Sequence, residues 1–254
     1  MAERVVAITG GASGIGLAVA EAALGEGWRV AVADRDAAAL EAARERLDPA
    51  RTTFAALDVT EEGAMESWIA ATAATAGGRL AGAVAAAGIA ADIPALDTPV
   101  DLFRRILDVN VTGSFLLARS AGRAMREAGG CGSILAIASV SGLRGAKGRV
   151  AYGASKAAVI NMAQVMAIDL APYGIRVNAL CPGPVETPLV ARVHGPETRA
   201  QWLRHLPLGR YGRPEEIVPM VLFLLDEAKS SYLTGQAIAV DGGYAGAGLM
   251  PPGN

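Results

Sequence analysis

Short, uniformly apolar runs alternate with longer stretches of helical periodicity along almost the whole chain. The apolar runs are rich in Val, Ile, Ala and Leu and are bounded by Gly, Asp or Pro, which is typical of strands. The predicted strands span residues 5–8, 29–33, 53–57, 82–86, 133–138, 176–180 and 237–240. The predicted helices between them span residues 16–26, 37–47, 61–76, 100–128, 152–171 and 214–226.

This regular alternation predicts an α/β fold with one doubly wound parallel sheet of about seven strands and helices on both of its faces. The strands are apolar throughout, as expected for a sheet that is covered on both sides. We find no internal repeat and no linker, so residues 1–254 are predicted to form a single domain. A Pro- and Gly-rich segment at about residues 184–210 interrupts the pattern. It is predicted to be a lid beside a ligand site, with a plain surface excursion as the alternative.

The composition favours a small-molecule ligand over a macromolecule. Lys and Arg number 23 against 25 Asp and Glu, which gives a formal net charge of -2 and no basic excess for a nucleic acid. No run approaches the ~20 apolar residues that a membrane helix needs. The two cysteines, Cys131 and Cys181, belong to no Cys/His cluster, which argues against a metal site and favours a reducing compartment. We therefore expect a cytoplasmic protein without a metal ion.

A glycine-rich turn, TGGASGIG at residues 9–16, joins the first predicted strand to the first predicted helix. Glycines let the chain turn tightly and let a pyrophosphate approach the backbone, and the helix N-terminus provides unpaired N–H groups. A plain strand–helix turn is the alternative, and an acidic residue after the next strand makes it less favoured. The residues predicted to contact a dinucleotide here are Gly10, Ser13, Gly14, Ile15 and Gly16.

That acidic residue, Asp34, indicates which dinucleotide is bound. A carboxylate at the end of the second strand accepts hydrogen bonds from both ribose hydroxyls of NAD and repels a 2′-phosphate. Arg35 follows it and is also expected at the cofactor, where an arginine can instead bind such a phosphate. Because Asp34 is present and the glycine turn contains no basic residue, we favour NAD over NADP. Asp58, after the third strand, is either an acceptor for the adenine amino group or a turn residue.

The candidate chemical residues lie in the middle of the chain. Tyr152 and Lys156 are four residues apart, which places both on one helix face. A phenol has an unperturbed pKa of ~10, and a nearby ammonium lowers that pKa enough for acid–base chemistry. Ser139, just past the fifth strand, is placed to hydrogen-bond a substrate oxygen that gains charge. Asn110 interrupts an apolar helical stretch and either satisfies a helix kink or holds a water that relays protons to Lys156.

Two other segments leave more than one interpretation open. Arg144, Lys147 and Arg149 crowd the loop before Tyr152, where they form a solvated face or, less commonly, meet an acidic substrate. The tail, residues 244–254, has no helical pattern and is expected to fray. A tail that docks on a neighbouring subunit is the alternative.

In combination, these motifs resemble those of the short-chain dehydrogenase/reductase family, with similarity over essentially the whole chain. The residues that carry the resemblance are TGGASGIG at 9–16, Asp58-Val59, Asn110, Ser139, Tyr152 with Lys156, Pro182-Gly183, Thr187, Thr234-Gly235 and Val240-Asp241-Gly242-Gly243. The combination is far more specific than any single motif. It implies a Rossmann-like sheet that binds a nicotinamide cofactor.

The resemblance also implies roles for individual residues. Tyr152 would be the general acid/base, Lys156 would lower its pKa and hold the nicotinamide ribose, and Ser139 would orient the alcohol or carbonyl oxygen. Asn110 would anchor a water relay. The further cofactor contacts that it implies are Asp58, Val59, Ala86, Ala87, Gly88, Pro182, Val185 and Thr187.

The family usually forms tetramers, so the resemblance implies a homotetramer, or else a dimer. Helices 100–128 and 152–171 would form one interface and the C-terminal strand another. Within the cofactor site, the backbone of Val185 and the side chain of Thr187 would hold the carboxamide of the nicotinamide.

One departure from the family pattern follows the fourth strand. Where the family typically has Asn-Asn-Ala-Gly, this chain has Ala85-Ala86-Ala87-Gly88. Hydrogen bonds made by the two missing amides must be replaced by backbone or water. We expect modestly altered stability or cofactor affinity, with the reaction retained.

Three functions are compatible with these residues. The favoured one is an NAD-linked oxidoreductase that moves a hydride between the nicotinamide and a secondary alcohol or ketone, such as a polyol or hydroxy acid. An NADPH-dependent 3-ketoacyl reductase is less favoured because of Asp34. A nucleotide-sensing protein without catalysis is less favoured because Asn110, Ser139, Tyr152 and Lys156 are all present.

Overall fold

The computed structural model describes residues 3–75 and 79–246. In these residues, seven parallel strands form one sheet in the order β3-β2-β1-β4-β5-β6-β7. The strands are β1 Val5–Thr9, β2 Arg29–Asp34, β3 Thr52–Ala56, β4 Leu80–Ala85, β5 Gly132–Ile137, β6 Ile175–Pro182 and β7 Ala237–Val240. The sheet confirms the predicted α/β fold, and the strand bounds differ from the predicted ones by one or two residues at most.

The helices are α1 Gly14–Gly25, α2 Ala37–Arg46, α3 Glu62–Thr75, α4 Val100–Leu107, α5 Gly113–Glu127, α6 Val150–Leu170, α7 Pro188–Val193, α8 Pro196–Leu203, α9 Pro214–Leu225 and α10 Glu227–Ser230. Helices α7 and α8, which the sequence pattern does not predict, lie within the segment predicted as a lid, and each begins with a proline at its first position. Residue 76, the predicted end of the third helix, lies outside the described residues. No helix in the described part of the chain is both long and apolar enough to cross a membrane.

Helices cover both faces of the sheet because neighbouring side chains of a strand point to opposite faces. Ala7 of β1 packs in one apolar cluster with Leu117 of α5, whereas Ile8 packs in a second cluster with Val221 of α9. All four side chains are fully buried. The result is the predicted arrangement of a sheet between two helical layers, with α1, α2 and α9 on one side and α3, α5 and α6 on the other.

The sheet order creates a crevice at the carboxyl end of β1. This strand pairs with β2 on one side and with β4 on the other, so the chain leaves the centre of the sheet in both directions. Ligands of open α/β sheets bind at such a switch point, outside the carboxyl ends of the strands. The predicted site residues that end a strand or follow one at this edge are Gly10, Asp34, Asp58, Ala86, Ser139 and Pro182.

Candidate active site

A cavity of about 410 Å³ lies at this edge of the sheet. Its walls contain every residue predicted to contact the cofactor, together with Ser139. These residues are Gly10, Ser13, Gly14, Ile15, Gly16, Asp34, Arg35, Asp58, Val59, Ala86, Ala87, Gly88, Tyr152, Lys156, Pro182, Val185 and Thr187. Of the four predicted chemical residues, Asn110 does not form part of the wall and lies fully buried behind it.

Two glycines of this turn, Gly10 and Gly16, have no space for a side chain. Gly10 and Gly14 have φ values of 64° and 53°, in the left-handed region that glycine tolerates best. A Cβ atom on Gly16 would lie 2.2 Å from the carbonyl oxygen of Gly10, and one on Gly10 would lie 2.6 Å from the backbone nitrogen of Ala87. The hydroxyl of Ser13, the N-cap of α1, makes no capping hydrogen bond. The turn therefore presents the positive end of α1 to the cavity, which fits an anionic group such as a pyrophosphate.

Asp34, the last residue of β2, has a carboxylate fixed by two backbone N–H groups. Ala12 donates to Oδ2 at 3.3 Å, and Asp36 donates to Oδ1 at 3.1 Å. Each oxygen has a second lone pair with which to accept from a ribose hydroxyl. Arg35 lies beside it with an exposed side chain. The geometry fits an adenosine ribose on the Asp34 side of the cavity.

Asp58 is already bonded to two neighbours. Its Oδ1 accepts hydrogen bonds from the backbone and hydroxyl of Thr60, at 3.0 and 2.8 Å, and its Oδ2 pairs with Arg105 at 3.1 Å. The backbone hydrogen bond from Thr60 is the largest of several effects that hold the pKa of Asp58 below its usual range. Asp58 therefore lines the cavity as a carboxylate, and the sequence pattern contains no sign of its partner Arg105.

Tyr152 and Lys156 project from the first turns of α6 towards the carboxyl end of β5. The ammonium nitrogen of Lys156 lies 5.7 Å from the centre of the Tyr152 ring and donates a 2.6 Å hydrogen bond to the carbonyl oxygen of Ile137. Ser139 follows β5, and its hydroxyl accepts a 3.1 Å hydrogen bond from the backbone N–H of Ser141. That contact fixes the hydroxyl oxygen of Ser139 and leaves its proton available to donate.

Burial shifts the pKa values of both ionisable groups towards the neutral forms. Burial raises the pKa of Tyr152 above its ordinary value, although a hydrogen bond with Ser139 and the charge of Arg149 oppose the shift. It lowers the pKa of Lys156 to about 8. Burial is the largest of the effects on the Tyr152 pKa, so the chain by itself keeps a proton on the phenol at neutral pH.

Asn110 lies in a single π-helical turn, Asp108–Thr112, which interrupts the predicted helix 100–128 between α4 and α5. Its Oδ1 accepts from the backbone N–H of Ile89 at 2.8 Å. Its Nδ2 donates to the carbonyl oxygen of Ile89 and to the hydroxyl of Ser155, both at 3.0 Å. Asn110 thus joins the loop after β4 to the helix that carries Tyr152, and π-turns of this kind are frequent at functional sites.

The chain after β4 is linked to β1 through its backbone. Ala85 is buried as the last residue of β4, and the N–H of Ala86 donates to the carbonyl oxygen of Thr9 at 3.1 Å. The backbone of Ala86 and Ala87 lies directly against Gly10. Small side chains therefore fit this position, and the backbone supplies the link between β1 and β4.

The segment after β6 contributes residues to the cavity wall. The hydroxyl of Thr187 caps α7 by accepting from the N–H of Val190 at 3.2 Å, and its methyl carbon would lie 3.3 Å from a Cβ on Gly14. Val185 is buried and pairs with Gly212 where the segment returns. The lid segment and the glycine turn are thus in contact across the cavity.

The three cations before Tyr152 have different surroundings. Arg149 is buried and pairs with Asp92 at 2.6 Å, a contact that no local pattern predicts because the partners lie on different loops. Arg144 is exposed and donates to the carbonyl oxygen of Ala245 at 2.8 Å, and Lys147 is exposed.

The first residues of the tail pack on the predicted lid segment of the same chain. Tyr244 contacts Trp202 of α8, with ring centres 4.8 Å apart. Residues 247–254, for which docking on a neighbouring subunit is the alternative prediction, lie outside the described residues.

The described residues contain no group of three or more His, Cys, Asp or Glu side chains arranged to hold a metal ion. Cys131 and Cys181 are both free thiols. The cytoplasmic location stays a prediction.

Comparisons with known proteins agree with this geometry. Residues 10–245 match a family model described as enoyl-(acyl carrier protein) reductase. The 2-(S)-hydroxypropyl-CoM dehydrogenase 3 of Xanthobacter autotrophicus is 40% identical, over 94% of this chain and 96% of its own. Galactitol 2-dehydrogenase (L-tagatose-forming) of Cereibacter sphaeroides is 41% identical, over 94% of this chain and 93% of its own.

The structural comparison gives the same result. A short-chain type dehydrogenase/reductase from Mycobacterium marinum superimposes with a TM-score of 0.90 at 39% identity, over 96% of both chains. The chain therefore belongs to the short-chain dehydrogenase/reductase family and is an oxidoreductase that uses a nicotinamide cofactor.

Proposed function

We propose that this protein is an NAD-dependent dehydrogenase that transfers a hydride between NAD(H) and a secondary alcohol or its ketone. The observation that carries the proposal is that the predicted chemical residues and the predicted cofactor residues line the same cavity. Its wall contains Ser139, Tyr152 and Lys156 as well as the glycine turn and Asp34. The names of the relatives add support, since they include galactitol 2-dehydrogenase and an NAD-dependent glycerol dehydrogenase. A polyol, a hydroxy acid or a similar small molecule is the proposed substrate class.

The chain offers a group for each part of the cofactor. The N-terminus of α1 would hold the pyrophosphate, and Asp34 would accept from the adenosine ribose. Lys156 would hold the nicotinamide ribose, and Val185 with Thr187 would hold the carboxamide. When bound, the cofactor supplies the hydride acceptor or donor and, in its oxidised form, a positive charge.

The chain's own residues would move the proton. In reduction, the phenol of Tyr152 donates its proton to the substrate oxygen, and in oxidation the phenolate removes it. The hydroxyl of Ser139 would donate a hydrogen bond to the same oxygen as charge develops. Lys156 would stabilise the phenolate, and Asn110 would hold the water relay that returns the proton to solvent. Burial keeps the phenol protonated by raising its pKa, which suits the acid role.

The other candidate functions have less support. Asp34 opposes a 2′-phosphate, which disfavours an NADPH-dependent ketoacyl reductase. A nucleotide sensor has no need of Ser139, Tyr152 and Lys156 in one wall. The lid at about 184–210 remains part of the proposal, because α7 and Thr187 line the cavity.

We also propose a homotetramer. The helices α5 and α6 expose apolar side chains, with 39% of Phe115, 49% of Val165 and 75% of Ile168 accessible. Light scattering should give about four times the chain mass of 25.9 kDa. Ile168→Glu should give smaller species because it places a charge in the apolar interface, whereas Leu208→Glu, on an exposed part of the lid segment, should not. A monomeric wild-type protein would contradict the proposal.

The function is tested by an absorbance screen of NAD and NADP with secondary alcohols, polyols and hydroxy acids. We expect at least one alcohol to reduce NAD. Tyr152→Phe should then lose turnover by about 10²-fold or more while binding NADH as before, because only the proton-transfer group is removed. Tyr232→Phe, which changes a fully exposed tyrosine, should have wild-type activity. Turnover by Tyr152→Phe close to that of the wild type would refute the role of Tyr152.

The two directions should depend on pH in opposite ways. Oxidation requires the phenolate, whose fraction increases about tenfold per pH unit below the pKa of Tyr152, and burial raises that pKa. kcat/KM for the alcohol should therefore rise with pH and level off once Tyr152 is ionised. kcat/KM for the ketone should be constant at low pH and fall above the same pKa.

The matched control is Tyr232→Phe, which changes a fully exposed tyrosine. This variant should leave both pH profiles unchanged. An oxidation profile that falls with rising pH would be inconsistent with Tyr152 as the base.

Asp34 should determine the preference for NAD. Asp34→Ser removes a charged acceptor, so we expect the KM for NAD to rise about 10- to 100-fold and the preference over NADP to shrink. Asp48→Asn, a change in an exposed turn, is the control and should change neither KM value. An unchanged KM for NAD in Asp34→Ser would show that the ribose is bound elsewhere.

A further inference from the structure

A chain of polar contacts connects the lid to the helix that carries Tyr152. Arg149, the residue before α6, pairs with Asp92 through Nε at 2.6 Å and through Nη2 at 3.2 Å. The same Nη2 contacts Nε2 of His194, the residue at the end of α7. The other ring nitrogen of His194, Nδ1, lies 2.9 Å from the hydroxyl of Tyr211. Four separate segments of the chain meet in this cluster, which the roles assigned above do not use.

The hydrogen-bond partners of His194 determine which of its ring nitrogens carries a proton. A guanidinium has no acceptor, so Nε2 of His194 must accept from Arg149 and cannot carry a proton. Nδ1 then carries the proton and donates it to Tyr211. Burial lowers the pKa of His194 to about 4, and the charge of Arg149 adds to the effect. The histidine is thus neutral at neutral pH and suited to accept from a buried cation.

Arg149 also lies against the proposed acid/base. Its guanidinium carbon is 5.2 Å from the centre of the Tyr152 ring, within the range of a cation–π contact. Gly148, next to it, accepts a 2.9 Å hydrogen bond from the N–H of Ile93, which holds the two loops together. Arg149 is therefore fixed on one side by the loop after β4 and touches both Tyr152 and the lid on the other.

The lid rests on this cluster. Trp202 of α8 stacks on the ring of His194 with the centroids 5.9 Å apart. The two ends of the lid segment are joined by backbone hydrogen bonds. The backbone N–H of Glu186 donates to the carbonyl oxygen of Gly212, and the backbone N–H of Gly212 donates to the carbonyl oxygen of Pro184. The segment between these ends packs on the rest of the chain through contacts that include those of His194 with Arg149 and of Leu208 with Gly242.

We propose that Asp92, Arg149 and His194 form a latch that holds the lid closed, and that Arg149 is a positioning residue which sets the Tyr152 ring for proton transfer when the lid is closed. This proposal rests on the proposed role of Tyr152. A buried ion pair by itself contributes little to stability compared with an apolar replacement. Its place between the lid and Tyr152 is explained if it couples closure to the geometry of the reacting group.

The lid part of the proposal is tested without a substrate. Hydrogen exchange of peptides from residues 188–205 should be about tenfold faster in His194→Gln than in the wild type, because the latch protects this segment from opening. The chain has two histidines, and the second gives the matched control. His205 is exposed and bonds within its own turn, to the carbonyl oxygen of Gln201. His205→Gln should exchange like the wild type, and equal exchange in all three proteins would refute the latch.

The positioning part is tested by kinetics with an alcohol that the wild type oxidises. Arg149→Gln should lower kcat by about 10- to 100-fold with a much smaller change in the KM for NAD, because the ring of Tyr152 is misplaced while the cofactor site is intact. Arg149→Lys should recover part of kcat, since it keeps the charge near Tyr152. Lys147→Gln, in the same loop but exposed, should match the wild type.

The pH profile adds a result that a purely structural role would not give. The charged or polar groups facing Tyr152 are Ser139, Arg149, Asp92 and Cys181, besides Lys156. Loss of the Arg149 charge should move the oxidation profile of Arg149→Gln to higher pH, and Arg149→Lys should move it back. If Arg149→Gln is unstable, the double variant Asp92→Asn/Arg149→Gln, which leaves no unpaired charge, is measured instead.

The outcomes separate the two proposals. If Tyr152→Phe loses turnover while the Arg149 variants keep the wild-type kcat and pH profile, the positioning role fails and the proposed function stands. If no alcohol is oxidised, the proposed function fails, and hydrogen exchange still decides whether the latch exists. Faster exchange in His194→Gln together with normal kcat would overturn the coupling between closure and Tyr152.

Discussion

The backbone contact at the end of β1 is the constraint on which the rest of the site depends. A Cβ on Gly16 would lie 2.2 Å from the carbonyl oxygen of Gly10, and one on Gly10 would lie 2.6 Å from the backbone of Ala87. Because β1 and β4 are neighbours, the turns after the two strands touch, and α1 begins directly at the sheet edge. A side chain there would push α1 outwards. The cavity would then lose the helix N-terminus that suits an anion.

Burial changes the pKa values of Tyr152 and Lys156, and these changes bear on which direction of the proposed reaction the resting protein favours. The interior raises the pKa of Tyr152 and lowers that of Lys156 to about 8, so it favours an uncharged phenol beside a less basic amine. The resting chain is therefore already in the state needed for reduction. In the proposed mechanism, oxidation needs a phenolate at Tyr152, and positive charge near this residue lowers the free energy of that phenolate. Arg149 and an oxidised nicotinamide are two sources of such charge.

The periodicity of the chain predicts the sheet and most helices, and the motifs predict the residues that line the cavity. The wall contains Asp34 and Ser139 because the carboxyl ends of parallel strands meet at one edge, and it contains Tyr152 and Lys156 because the first turns of α6 lie at that edge. The pattern fails where a contact joins distant segments without a local signal. The pairing of Asp92, Arg149 and His194 is one case. The π-turn at Asn110 is another, since a polar residue within an apolar stretch indicates a possible kink but not the hydrogen-bond pattern of the turn.

The cations of the loop before Tyr152 are largely occupied by partners within the chain, which limits their use in binding an acidic substrate. Arg149 is 8% exposed and bound to Asp92, so an acidic substrate would have to displace a carboxylate to reach it. Arg144 donates to a backbone carbonyl, which leaves Lys147 as the exposed ammonium of that loop. The predicted lid segment itself contributes the apolar side chains Leu189 and Val190 to the cavity wall. We propose that shape under a closed lid contributes to the choice among small alcohols, together with Arg192, which also lines the cavity.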